Sequence, residues 1–96
     1  SYISLSWYYS LADRHQEAIE AGRQATRLLP AQHMGYTNLC RAYNDTKQYA
    51  LAVQTCGKAL QINPGDGETY LYLARAYDRQ NKTALATAAF KKAVDG

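Results

Sequence analysis

The side chains best equipped for chemistry in this sequence are Cys40, Cys56, His15, His33 and the arginines Arg41, Arg75 and Arg79. Two cysteines allow three readings: a disulfide, half of a metal site, or a pair of small buried thiols. Free cysteine behaves as a small hydrophobe and is often buried, so the third reading is favoured and the redox compartment stays open. Neither histidine stands at ligand spacing from either cysteine, so no metal is expected. A catalytic site would need a nucleophile beside a base, or a paired acid and base. Cys40 is expected to be buried, and His15 and His33 fall in or beside turns. Glu17 and Glu20 share a helix face with Arg23 and Arg27, as on a solvated surface. No glycine-rich phosphate loop follows a strand, because no strand is expected. The chain therefore reads as no enzyme, with no catalytic residue, no metal and no cofactor.

The arginines point elsewhere. Arg41 and Arg75 sit at equivalent places in two copies of one pattern, and Arg79 follows Arg75 by one helical turn. Guanidinium groups aimed at one space suit a carboxylate or a phosphate, since each can grip it with two parallel hydrogen bonds. The plainer alternative pairs Arg41 with Asp45 and Arg75 with Asp78. Such exposed contacts contribute about 0–1 kcal/mol. The plainer alternative is favoured, with Arg79 left unpaired in either case.

The interval that separates Arg41 from Arg75 is a property of the whole chain. Tyr36, Leu39, Tyr43, Ala52, Ala59 and Pro64 reappear as Tyr70, Leu73, Tyr77, Ala86 and Ala93, and earlier as Tyr2, Leu5, Tyr9, Ala18, Ala25 and Pro30. Cys40 takes the place held by Ser6 and Ala74, and Cys56 that held by Gly22 and Phe90. A fixed period of this length signals a repeat architecture. Apolar and small residues recur at three and four, which predicts helices over about Tyr2–Ala12, Gln16–Leu29, His33–Asn44, Gln48–Ile62, Gly67–Gln80 and Thr83–Asp95. Polar turns at 13–15, 45–47 and 81–82 separate the members of each pair. Pro30 and Pro64 stop helices because proline lacks the amide and disfavours helix in the residue before it. Asp66 is expected to cap the fifth helix by accepting an orphan amide bond. Ala18, Ala52 and Ala86 mark close helix approach, and Tyr9, Tyr43 and Tyr77 fill the opposite side.

Composition agrees with one folded unit over residues 1–96, divided at about 1–32, 33–66 and 67–96. With 47% apolar and 20% charged residues the chain is not a disordered tail. A net charge of +3, spread along the sequence, leaves no footprint for nucleic acid. No apolar run approaches the length of a bilayer-crossing helix, so no membrane span is expected. No charged-then-apolar leader opens the sequence, and a soluble, cytoplasmic setting is favoured.

The series Tyr36, Leu39, Tyr43, Tyr49, Ala52, Ala59 and Pro64, met three times with local departures, resembles the tetratricopeptide repeat. The departures are Gly22, where a larger residue is common, and His15, where the second repeat has Tyr49. The resemblance implies an all-α, right-handed α-solenoid of three antiparallel helix pairs, six helices in all. It also implies a concave groove lined by the first helix of each pair. Carried onto this sequence, the groove takes Ile3, Ser4, Trp7, Ser10 and Leu11 from the first repeat. The second gives Met34, Thr37, Asn38, Arg41, Asn44 and Asp45, and the third Glu68, Leu71, Tyr72, Arg75, Asp78 and Arg79. Some members of the family clamp the acidic C-terminus of heat-shock chaperones. Of the positions they use only Asn38 matches here; Ile3, Trp7, Glu68 and Tyr72 occupy the others, and Glu68 inverts the charge.

The function expected is a peptide- or protein-binding scaffold. Trp7, Asn38, Arg41, Tyr72, Arg75 and Arg79 would line its groove, and the bound segment would be acidic or end in a carboxylate. The runner-up is a spacer or self-assembly module. Phe90 and Val94 lie on the face that would meet a following repeat, and no polar capping helix covers them.

Overall fold

Small residues set the spacing of this fold. The computed structural model describes the backbone of residues 2–11 and 14–95, and the side chains of residues 2–8 and 14–95. Six α-helices and no strand are found among the described residues: α1 (Tyr2–Leu11), α2 (His15–Leu28), α3 (His33–Asp45), α4 (Tyr49–Ile62), α5 (Gly67–Arg79) and α6 (Thr83–Asp95). The result is an all-α helical-repeat solenoid of three helix pairs. Ala12 and Asp13, expected at the end of α1 and in the first turn, lie outside the described residues, as does the side chain of Tyr9.

Two of the turns share one mechanism. After α3, the Lys47 amide donates to the Asn44 carbonyl at 3.1 Å and the Gln48 amide to the Tyr43 carbonyl at 2.8 Å. After α5, Asn81 donates to Asp78 at 3.0 Å and Lys82 to Tyr77 at 2.9 Å. These paired bonds satisfy carbonyls that the helix ends leave open, and they need a left-handed residue between them. Lys47 (φ 64°) and Asn81 (φ 62°) supply it. At the other ends no side chain caps a backbone amide at the start of α2, α3, α4 or α5. Asp66 departs from the expectation in this way. Its carboxylate accepts the Thr69 hydroxyl at 2.6 Å instead of a backbone amide.

Within each pair the contact is made by residues with almost no side chain. Ala18 and Ala52 are fully buried and Ala86 nearly so. Between pairs the approach is as close. A Cβ on Gly22 would sit 3.1 Å from the Leu39 side chain, and one on Gly35 would sit 3.2 Å from Ala25 Cβ. The bare backbone of Gly22, unusual at its place in the repeat, therefore lets α3 settle onto α2. Larger side chains complete the core: Leu39, Tyr43, Tyr72 and Leu73 are all buried.

The cysteines correct the sequence reading. Both are fully buried, as expected, but they are joined in a disulfide between α3 and α4, with a Cα–Cα distance of 5.4 Å. The reason lies in the repeat frame. Cys40 faces the second helix of its own pair, with Sγ 3.0 Å from the Ala52 carbonyl oxygen, where Ser6 donates to the Ala18 carbonyl at 3.0 Å. Cys56 lies one turn beyond Ala52 on the same narrow seam, so the two sulfurs meet. Helical periodicity marks both positions as inward-facing, but it does not show that the two point at each other.

Among the described residues no helix is long and apolar enough to cross a membrane, and no group of three or more metal-binding side chains is assembled.

Candidate binding groove

The first helices of the pairs touch one another: α1 packs on α3, and α3 on α5. The second helices do not; among the described residues α2 makes no contact with α4, nor α4 with α6. An array whose elements meet on one side and part on the other must curve, so α1, α3 and α5 form the inner wall.

Side chains of α3 stitch that wall together. Asn38 Nδ2 donates to the Ile3 carbonyl in α1 at 3.3 Å, and Asn44 Nδ2 to the Tyr72 carbonyl in α5 at 3.0 Å. Thr37 and Thr69 meet hydroxyl to hydroxyl at 2.8 Å. Each hydroxyl has one proton to give. Asp66 takes that of Thr69, so Thr37 donates to Thr69, in competition with the His33 carbonyl at 3.1 Å. Asp66 also lies 3.6 Å from His33 Nε2, tying the start of α3 to the start of α5. Thr69 is fully buried at the centre of this relay. Replacing it with valine keeps the volume and removes the donor to a carboxylate, at an expected cost of about 1–3 kcal/mol in a denaturant titration. A loss within error would show that Asp66 is satisfied without it.

The groove residues named from the sequence divide into two sets. Trp7 is exposed at 53%, with Met34 at 51% and the half-buried Ile3 on the same wall. Arg75 and Arg79 are exposed and Arg41 is half-buried. Asn38 and Tyr72, in contrast, are buried and already bonded, so they shape the wall rather than project from it. The side chains of Ser10 and Leu11, also assigned to the groove, lie outside the described residues.

Charge on the wall is uneven. The favoured reading paired Arg41 with Asp45 and Arg75 with Asp78. Neither pair forms, and none of Arg41, Arg75 and Arg79 meets a described carboxylate at ion-pair distance. Asp45 instead stands 3.8 Å from His15 Nδ1 on α2. Glu68 accepts the Tyr72 hydroxyl at 3.1 Å. Burial, and then the nearby Glu68 carboxylate, push the Tyr72 phenol above its ordinary range, while Arg41 and Arg75 pull it down. Both arginines thus act on the Tyr72 hydroxyl through space. Beyond it, Arg75 and Arg79 line a cavity of about 380 Å³ with Asn44, Asp45, Tyr49 and Asp78. Asn44 Oδ1 is buried there without a hydrogen-bond partner among the described residues. The sequence signalled the arginines by their period. The role of Asn44 as an orphaned acceptor needs the fold, because its amide is held by a carbonyl 28 residues away.

The ends of the array are apolar. Phe90 is 39% and Val94 85% exposed on α6, and Tyr2, Leu5 and Tyr8 are exposed on α1.

Comparison with known proteins agrees with this fold. Solved structures similar to the chain include MamA, at 26% identity and a TM-score of 0.87 over 98% of this chain and 55% of that one. The first tetratricopeptide domain of human RPAP3 matches at 20% identity and a TM-score of 0.94, over 98% of this chain and 74% of that one. The first such domain of Spaghetti (RPAP3), solved with the HSP90 peptide SRMEEVD, gives 20% and 0.94 over 98% and 75%. The chain thus spans about half the length of MamA. A comparison with curated protein sequences finds no match. The sequence pattern of the Tetratricopeptide repeat family matches residues 43–95, more than half of the chain. On that match, and on three helix pairs that recur at one fixed interval, the chain belongs to the tetratricopeptide repeat family.

Proposed function

We propose that the chain is a non-catalytic protein-interaction scaffold that holds an acidic or C-terminal segment of a partner against α1, α3 and α5. The observation that carries this reading is the set of three guanidinium groups, Arg41, Arg75 and Arg79, left without a described carboxylate on the inner wall. Arg75 and Arg79 supply donors for a carboxylate, and Asn44 helps to wall the cavity they line. Trp7 offers an anchor for an apolar side chain further along the segment. The similar fold that holds SRMEEVD supports peptide capture in general. The charge here sits at different places, however, since Ile3, Trp7, Glu68 and Tyr72 stand where clamp residues would. Catalysis is not expected, because both cysteine sulfurs are spent in a buried bond and each histidine faces an aspartate.

The test uses fluorescent peptides ending in acidic residues, each with a free or an amidated C-terminus, and the variant Arg41→Ala/Arg75→Ala/Arg79→Ala. Charge-assisted hydrogen bonds contribute about 1.5–3 kcal/mol each, so the triple change should weaken binding by at least about tenfold. Its melting temperature should stay near that of the parent. Undiminished capture by the variant would remove the arginines from the site, and SRMEEVD itself should bind no better than other acidic peptides.

A second reading, self-association, has its own observation. Phe90 and Val94 occupy on α6 the face that α4 buries against α5, where Cys56 Sγ lies 3.7 Å from the Thr69 carbonyl oxygen. Light scattering over a range of concentrations, with Phe90→Lys/Val94→Lys as control, checks it. A mass that stays monomeric throughout would dismiss it.

A further inference from the structure

The geometry points to Cys40–Cys56 as a shielded lock on the middle repeat, closed in an oxidising compartment and resistant to small thiols once the chain has folded. Three observations converge on it. The first is position. α3 packs on α1, α2, α4 and α5, so the cross-link ties to its partner the one helix that touches both neighbouring pairs. The corresponding places in the other repeats hold Ser6 with Gly22 and Ala74 with Phe90, which cannot form such a bond. The second is burial. Neither cysteine has exposed surface, and a thiolate must reach a sulfur to attack it. The third is the seam itself. Ala42 and Ala52, which share a core cluster with both cysteines, have no exposed surface, and Cys40 Sγ lies 3.0 Å from the Ala52 carbonyl oxygen, so the sulfurs sit where the two backbones approach most closely.

The chemistry is a two-electron exchange. Cys40–SH and Cys56–SH with an external disulfide RS–SR give the Cys40–Cys56 bond and two RSH. One cysteine thiolate first attacks RS–SR and expels RS⁻, and the second then displaces the other RS⁻ from the mixed disulfide. Both steps need the sulfurs accessible, so the bond forms before α3 and α4 finish packing. Reduction runs the same steps backwards and has to wait for the seam to open. Compartments that keep thiols reduced would leave the pair open during synthesis. The lock therefore argues against the cytoplasmic setting that the sequence alone favoured. It also fixes α3, which carries Arg41 and Asn44. That consequence for peptide capture rests on the groove reading, whereas the lock itself does not.

Oxidised chain is treated with dithiothreitol in buffer and in denaturant, and free thiols are trapped by alkylation and weighed. Attack that waits on a rarely populated opening should be slower in buffer by on the order of a hundredfold or more. Hydrogen exchange of the oxidised chain should show its greatest protection in α3 and α4, and reduced chain should lose it there first. Similar reduction rates in both solvents would overturn the shielding. Free thiols in chain produced in an oxidising compartment would overturn the lock. Should reduced chain fail to fold, the rate comparison still decides, since it starts from the oxidised protein. The peptide panel on oxidised chain separately decides the groove.

Discussion

Truncating Leu39 to alanine should cost about 2–5 kcal/mol of folding stability, while the same change at Leu5 should cost roughly 1 kcal/mol or less. The two leucines are one period apart and of one type, so intrinsic helix propensity cancels between them. Their surroundings differ. Leu39 is 6% exposed and presses on the bare backbone of Gly22, so its loss opens a cavity at a junction already at its closest approach. Leu5 is 38% exposed on the outer side of α1. For a chain of this size each kcal/mol moves the melting temperature by about 4–8 °C, which separates the two variants clearly by calorimetry. Leu73, also buried, should behave like Leu39. Equal losses at Leu5 and Leu39 would mean that α1 is covered by something in solution.

Opening the Cys40–Cys56 bond is expected to have an effect of similar size. Its ends are 16 residues apart, and closing a loop of that length restricts the unfolded chain by roughly 3 kcal/mol. The reduced protein should accordingly melt roughly 10–20 °C below the oxidised one. The alanine-rich seam makes the contribution matter. Ala42, Ala52 and Ala59 bring the helices close but each remove little apolar surface from water, so much of the hairpin's stability is left to the cross-link. Circular dichroism melts of the two redox states measure this directly. A difference below about 1 kcal/mol would show that packing alone holds α3 to α4.

How far the sequence could be read depends on which physical term decides each feature. The helices were legible because their periodicity is repeated three times and proline or polar turns punctuate it. Observed bounds depart from those expected by a residue or so, as at Asp45, which ends α3 instead of opening the turn. The groove wall was legible in outline for the same reason, since residues one period apart share a face. What escaped is decided by side-chain direction across the fold. The cysteines were assigned to the core but not to each other. Asp66 was placed at a helix start, yet a hydroxyl at 2.6 Å outcompetes the amide for its carboxylate. Arg41 and Arg75 were assigned neighbours along their own helix, but Asp45 faces His15 on another. Asn38 matched a binding position, and the bond from its amide to the Ile3 carbonyl needs the fold to be seen.

The stitches running from α3 to Ile3, Tyr72 and Thr69 all lie on one rim of the array, and among the described residues nothing comparable joins α2, α4 and α6 to each other. Bending will therefore pivot about the inner rim, with the outer helices fanning apart or drawing together like the leaves of a bound book. Pitch, and with it the width of the furrow between α1, α3 and α5, can then be tuned by substitutions on the back of the molecule, far from the inner wall.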